Sequence, residues 1–440
     1  MDDKDNHEQV AERRSLLGLA AMAFMIGAAT GCVGAIFRLL LAHADHLRDT
    51  MITWGHGHAI SGFLIVVGTC AVATLVATWM VRQFSPHASG SGIPHVEAVL
   101  HGQIPPAPVG LVPVKFVGGL LAIGSGLALG REGPTVQIGA GIAVFAARVC
   151  RLCWTDTRVL LAAGAGAGLA TAFNAPIAGL VFVLEELVQK FEHRIAVAAL
   201  AALATAIPIA RLFLGDAPDF HVGPLSYPSA ESAPLFFVLG AIAGLLSVAY
   251  NRALLGAIAA RDRFGRLAIE LRAGLIGASV GILAWFAPEL VGGGDQITQR
   301  TLIGDESLAI VGFAFLIRFG LGVVSYAAGT PGGLFAPLLV LGAQSGLLFG
   351  AACRFAFPAL AIQPQGFALV GMAAFFTGVV RAPVTGIVLV AEMTGNVTLL
   401  MPTLGACFVA MLLPMLLRNP PIYDSLREHT LRLERQIKHR

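Results

Sequence analysis

The chain has 440 residues, 56% of them hydrophobic and only 12% charged, with a mean hydropathy of +0.78 and a formal net charge of +3. A soluble domain carries about twice that share of charge, so composition excludes a soluble globular protein, and the small net charge gives no case for a nucleic-acid partner. Glycine, at 52 residues, is close to double its usual share, which fits the close helix packing and broken helices of a polytopic membrane protein.

Residues 1–14 are polar and end in Arg13 and Arg14; an apolar run then extends to about Ala42. That run is too long for the apolar part of a signal peptide and reads as a retained first helix. Further apolar runs fall near 60–81, 109–129, 133–150, 159–188, 195–214, 234–251, 268–287, 308–328, 332–358, 366–392 and 398–417. Most approach the ~20 residues a spanning helix needs, and internal Gly and Pro imply more helices than runs. Segments 148–158, 189–194 and 252–272 carry Arg148, Arg151, Arg158, Lys190, Arg194, Arg252, Arg261, Arg263, Arg266 and Arg272. By the positive-inside rule they are cytoplasmic, together with the basic tail of Arg432, Arg435, Lys438 and Arg440, whereas the acidic segments 215–233 and 288–307 are external. Both termini are then cytoplasmic. Cys150 and Cys153 form a CxxC with no second pair nearby in sequence and read as small apolar residues at a helix end.

The stretch "GREGPTVQIGA", Gly130 to Ala140, sets Arg131 and Glu132 between two apolar runs. A charge at a bilayer centre costs roughly 3 kcal/mol or more, so such a pair is a functional hypothesis by default. The glycines permit a sharp turn and the following proline suits the first turn of a new helix. The stretch therefore predicts a broken helix that restarts with Glu132 at its N-terminal mouth, where free N–H groups and the positive end of the dipole favour an anion. Glu132 would be the protein's own anion, sitting where a dissolved one could replace it. "GSGIP" (Gly90–Pro94) and "GGLFAP" (Gly332–Pro337) read as two more such breaks, presenting the Ser91 hydroxyl and the amides of Leu334 and Phe335.

Self-comparison shows a duplication. "GREGPTVQIGA" aligns without gaps on "GLFAPLLVLGA" from Gly333, "APIAGLVFVLEE" from Ala175 on "APVTGIVLVAEM" from Ala382, and "GSG" at Gly90 precedes "GGG" at Gly292 by a similar interval. Glu132 in the first copy is Phe335 in the second. The expected organisation is a segment 1–14, repeat halves 15–215 and 216–418, and a segment 419–440. Transporter repeats place the substrate site at their interface near the midplane, lined by broken helices.

The three glycine motifs, in this order and spacing, resemble the CLC family of chloride channels and chloride–proton antiporters, over nearly the whole chain. The resemblance implies an all-α fold of two inverted halves with many tilted and broken helices, and a homodimer in the lipid of a bacterial inner membrane, with chloride and protons as transported partners and no cofactor. It assigns chloride coordination to Ser91, Leu334, Phe335 and Tyr423, gating to Glu132, and intracellular proton transfer to Glu186. Glu392, the repeat-mate of Glu185, reads as a structural acid. Glu97, Lys115 and Arg131 are expected to form one supporting charge network without a metal. His95 stands where the family commonly has an acid and is expected to be a solvated helix-end residue. The 23 residues after Leu417 leave no room for paired nucleotide-sensing (CBS) domains.

Two other readings compete. A passive chloride channel shares the anion site without obligatory proton coupling. An intramembrane hydrolase is more remote: no Gly stands two places before Ser91, and no HExxH occurs. The run Gly164, Gly166, Gly168 lies in an apolar stretch with no strand before it and predicts helix packing, not a nucleotide loop. The sequence expectation is a chloride–proton antiporter and not an enzyme.

Overall fold

The computed structural model describes residues 2–263 and 268–438, and the side chains of 16–263 and 268–432. The tail residues Arg435, Lys438 and Arg440, and Arg266 in the basic loop, lie outside the described side chains. The chain opens with two long helices, α1 (Asp2–His56) and α2 (Ala59–Phe84). α1 continues well beyond the expected end of its apolar run near Ala42. No proline interrupts 43–54, and Arg48 pairs with Asp45 one turn earlier at 2.6 Å. Six shorter elements follow: α3 (Ile93–Leu100), α4 (Leu111–Gly124), α5 (Glu132–Val149), α6 (Trp154–Phe173), α7 (Pro176–Phe182) with a π-helical turn at Val183–Leu187, and α8 (His193–Leu214).

The same order then returns as α9 (Ala233–Arg263), α10 (Ile269–Phe286), α11 (Asp295–Ile303), α12 (Leu308–Ala327), α13 (Phe335–Ala356), α14 (Pro364–Val380), α15 (Pro383–Thr394) and α16 (Leu400–Leu416). A final helix, α17 (Ile422–Lys438), has no counterpart in the first half. Among the described residues, α1, α2, α8, α9, α10, α12 and α13 are long and apolar enough to cross a membrane. The protein is a multi-pass, all-helical membrane protein; no strand occurs among the described residues.

Matching elements of the two halves have matching ends. Gly92 (φ +88°) and Gly294 (φ +100°) precede α3 and α11 in the left-handed conformation, which glycine adopts without steric cost. Asn174 (φ +50°) and Arg381 (φ +75°) close α6 and α14 in the same region. The halves also exchange reciprocal contacts. Glu185 accepts from the N–H groups of Val384 (3.0 Å) and Thr385 (2.7 Å) at the start of α15, and Glu392 accepts from those of Ile177 (3.0 Å) and Ala178 (2.8 Å) at the start of α7. Each carboxylate thus satisfies orphan donors of the helix in the other half. Such mutual exchange between equivalent segments is what a local two-fold axis produces, and it gives Glu392 the structural role expected of it.

The core is built of backbone-to-backbone helix packing around α6 and α14, which are buried along almost their whole length. Gly164 and Gly139 lie with their backbones in direct contact, and a side chain on either would collide with the other's carbonyl. Gly342 and Gly371 repeat that arrangement between α13 and α14. The glycine-rich stretch of α6 therefore packs helices, as its membrane context predicts.

Candidate anion and proton site

The three broken segments meet at the centre of the molecule. Gly130 and Gly333 pair in an antiparallel bridge, with Gly130 N–H donating to Gly333 O (2.8 Å) and Gly333 N–H to Gly130 O (2.7 Å). Beside it, Gly90 N–H donates to Thr330 O and Gly332 N–H to Gly90 O, each at 3.0 Å. These four bonds satisfy non-helical backbone that would be intolerable in lipid. They also aim the N-termini of α3, α5 and α13 at one small volume.

Glu132 is the first residue of α5 and fully buried. Its Oε1 accepts from the N–H of Ala336 at 3.2 Å, with the Phe335 amide also directed at the carboxylate, and Oε2 has no hydrogen-bond partner. Leu334 is the residue before α13 and Phe335 its first residue. The carboxylate of one half therefore sits on the free N–H groups of a helix in the other, as an anion would. Next to it, the hydroxyls of Ser91 and Tyr423 are buried neighbours, and neither has a partner of hydrogen-bond geometry. Buried hydroxyls without partners are uncommon, and two together form a pair of donors directed at one place. The Phe335 ring lies among Phe376 (4.5 Å between centroids), Phe182 (5.8 Å), Phe173 and Tyr423 (both 6.1 Å), an apolar wall that excludes water. Gly133 fits closely: a Cβ there would stand 2.6 Å from Ser91 Oγ. A cavity of about 530 Å³ leads to Ser91, lined by His87, Arg261, Tyr326 and His429 among others.

Glu186 lies on the π turn after α7, buried and directly beside the carboxyl of Glu97 on α3. Glu97 is also bonded to Arg427 of α17, Oε2 to Nη1 at 3.2 Å. The site thus has an anion end, at Ser91, Tyr423, Glu132 and the start of α13, and an acid pair set apart from it.

Residues 73–414 match the family described as voltage gated chloride channel. The chain belongs to the CLC family. Curated relatives include the H(+)/Cl(-) exchange transporter ClcA of Salmonella arizonae, 36% identical over 430 residues (96% of this chain and 90% of that protein). ClcA of Salmonella paratyphi B is 35% identical over 437 residues (97% and 92%). Among solved structures, a slow cyanobacterial Cl-/H+ antiporter superposes with TM-score 0.90 at 31% identity, covering 94% of this chain and 98% of that one. A CLC-type fluoride/proton antiporter shares the fold at TM-score 0.78 and 23% identity, over 93% and 97%. As a CLC protein the chain is a membrane transport protein with no cofactor, not an enzyme.

Against the family's pattern, three expectations need correction or extension. Glu97, Lys115 and Arg131 do not form one network, because each is bound to a different set of partners. Glu97 pairs with Arg427. Lys115 Nζ donates to the carbonyls of Ala88 (3.0 Å) and Gly90 (2.7 Å), bracing the turn that carries Ser91. Arg131 binds Asp295 (2.6 Å), Asp219 (3.2 Å) and the carbonyl of Ala172 (3.0 Å). The repeat-mate of Lys115 is Arg318, which holds the carbonyls of Leu290, Gly292 and Gly293 in the second half. His95 is not solvated: all of α3 is buried, and the ring lies 4.8 Å from that of His87 with neither nitrogen hydrogen-bonded among the described residues. Sequence reasoning also missed two residues of this CLC site. Tyr326, whose Oη accepts from Ser91 N–H at 3.3 Å, is one of only four tyrosines in the chain. Ala336 supplies the amide that Glu132 contacts and has no side-chain signal at all.

Proposed function

We propose that the protein is a chloride–proton antiporter. The observation that carries this reading is the seat of Glu132: a fully buried carboxylate on the free amides at the start of α13, beside the unpartnered Ser91 and Tyr423 hydroxyls. A dissolved chloride and this tethered carboxylate cannot occupy the same donors. Protonation neutralises the carboxylate and releases the amides to chloride, so proton and chloride occupancy favour each other. By linkage that preference is mutual, and it is the coupling. Chloride would be held by the amides of Leu334, Phe335 and Ala336 and by the two hydroxyls. Glu186, with Glu97 at its side, would supply protons from the other end. ClcA relatives described as H(+)/Cl(-) exchange transporters cover nearly the whole chain, in agreement with this assignment.

The basic segments around Arg148–Arg158 and Arg252–Arg272 orient the cavity at Ser91 and Glu186 towards the cytoplasm, and the acidic segments orient Arg131 and Asp295 outwards. The reading includes a homodimer in the bacterial inner membrane with one pathway per subunit. It also includes repeat halves 15–215 and 216–418, flanked by cytoplasmic segments 1–14 and 419–440. The test is purified protein in liposomes with a chloride gradient and no proton gradient, the membrane voltage clamped near zero with potassium and valinomycin. Proton movement against its own gradient, driven by chloride, is expected. Chloride flux without it would make the protein a channel, with Glu132 as its gate.

A further inference from the structure

Among the described residues α17 is the one helix without a counterpart in the duplication, and its residues reach both ends of the site. Tyr423 is buried against Phe335 at the anion end. Arg427, four residues on and therefore on the same helical face, donates Nη1 to Glu97 Oε2 at 3.2 Å and Nη2 to Asp424 Oδ1 at 2.6 Å. The Glu97 side chain is 1% exposed and that of Asp424 35%, so the guanidinium is clamped between a buried carboxylate and one at the surface.

Glu97 and Glu186 are adjacent buried acids, and two carboxylates sharing such a place cannot both ionise at tolerable cost. One of them holds a proton. Arg427 decides which, because it faces Glu97, while Glu186 has no ion pair among the described residues. Glu185, the neighbour on the same π turn, commits its carboxylate to Val384 and Thr385 and is not available as a substitute. Around this end Arg158, itself paired with Glu192, and Lys190 bring positive charge, Asp424 brings negative charge, and His101 is a further titratable group.

We infer that Arg427 is a positioning residue for the proton step: by fixing the negative charge on Glu97 it places the transferable proton on Glu186, so that α17 serves the anion and proton routes from one face. The inference rests on the antiporter reading. Glu186 passes its proton towards Glu132 as a cytoplasmic proton replaces it, so the pair keeps one proton; Glu97 stays charged throughout and does not intercept it. Without the guanidinium, Glu97 takes up the proton itself, because an unpaired buried carboxylate is strongly disfavoured.

The experiment compares chloride flux and chloride-driven proton uptake in liposomes for the parent protein, Arg427→Gln, Arg427→Lys, Glu97→Gln and the Arg427→Gln/Glu97→Gln double variant. Arg427→Gln should lower the proton-to-chloride ratio about fivefold or more with chloride flux within about twofold of the parent, and Arg427→Lys should restore most of the ratio. In the Glu97→Gln background, Arg427→Gln should change the ratio by less than about twofold, because the residue it acts through is already neutral. If Arg427→Gln does not assemble, the double variant, which leaves no buried charge unpaired, carries the comparison against Glu97→Gln and Arg427→Lys. Parallel loss of chloride and proton flux would reduce Arg427 to a tack for α17. An unchanged ratio with pumping intact would overturn the assignment while leaving the antiporter standing. Absence of proton pumping in the parent protein would remove the antiporter reading and this inference with it.

Discussion

Removing the Glu132 side chain should tighten equilibrium chloride binding. The carboxylate holds one charge-assisted bond to the Ala336 amide at 3.2 Å, with the Phe335 amide close by. Hydrogen bonds to charged groups contribute ~1.5–3 kcal/mol, which sets an upper limit of roughly 10- to 150-fold on the affinity that this competition can withhold from chloride. Two effects reduce it. Seating a carboxylate in a fully buried place costs desolvation, so its hold on the amides is weaker than the bond alone. Water entering the space left by Glu132→Ala also solvates the freed N–H groups. An increase of about five- to tenfold is expected. Titration calorimetry of chloride into detergent-purified protein prepared free of chloride, near pH 7.5, measures it without any transport step. Equal or weaker binding by Glu132→Ala would mean that the amides at the start of α13 are not shared between carboxylate and chloride, and the coupling argument would fall.

Other tests address the proton route and the scaffold. Glu186→Gln should abolish proton uptake in the liposome assay while chloride still moves, and unchanged coupling would place proton transfer elsewhere. Glu185→Gln and Glu392→Gln should each cost about 1–2 kcal/mol by weakening a cross-repeat helix cap. Glu185 should cost more, because it also accepts from the Thr385 hydroxyl at 2.7 Å; melting curves in detergent would show it, and equal melting of both variants with the parent would exclude the capping role. At the basic loop, Arg158 bonds both oxygens of Glu192 at 3.0 Å and holds its carboxyl below the ordinary value. A lowered native value means that the pair stabilises fully above the unfolded-state value near 4.3 and fades as pH falls through the native one. Glu192→Gln should therefore melt slightly below the parent at pH 7, by the small amount a partly exposed pair allows. That gap should close below about pH 4; a gap that persists there would assign it to packing.

Much of the site was legible because breaking a membrane helix requires particular residues. Gly130, Gly333 and Gly90 mark places where the backbone leaves helical geometry, and Pro94, Pro134 and Pro337 mark where it resumes, so the three mouths could be read and their convergence expected from the duplication. Partners supplied by distant backbone or by distant surface charges could not be read. Nothing in the sequence tells Lys115 to choose the carbonyls of Ala88 and Gly90 over Glu97, since carbonyl acceptors leave no mark on residue identity. Arg427 lies 330 positions from Glu97 in a polar tail that looks like a solvated helix. His95 looked solvated because it follows a turn, yet α3 is covered on every side, and only tertiary packing decides that.

The duplication itself explains why one site can serve two ions. An exact two-fold would place identical groups across the axis, and two carboxylates facing each other there would repel. The halves instead differ where they meet: Glu132 extends from α5, and its mate Phe335 leaves the start of α13 without a competing acid. The antiparallel pairing of Gly130 with Gly333 brings those non-identical residues into contact, so one copy contributes the tethered anion and the other the amides that receive it. The second asymmetry is α17, which has no partner helix and brings Tyr423 and Arg427 to one end alone. On the antiporter reading proton delivery would be confined to that end, while at the other end Arg131 is held by Asp295 and Asp219. A scaffold with two-fold symmetry acquires a direction from one substituted position and one appended helix.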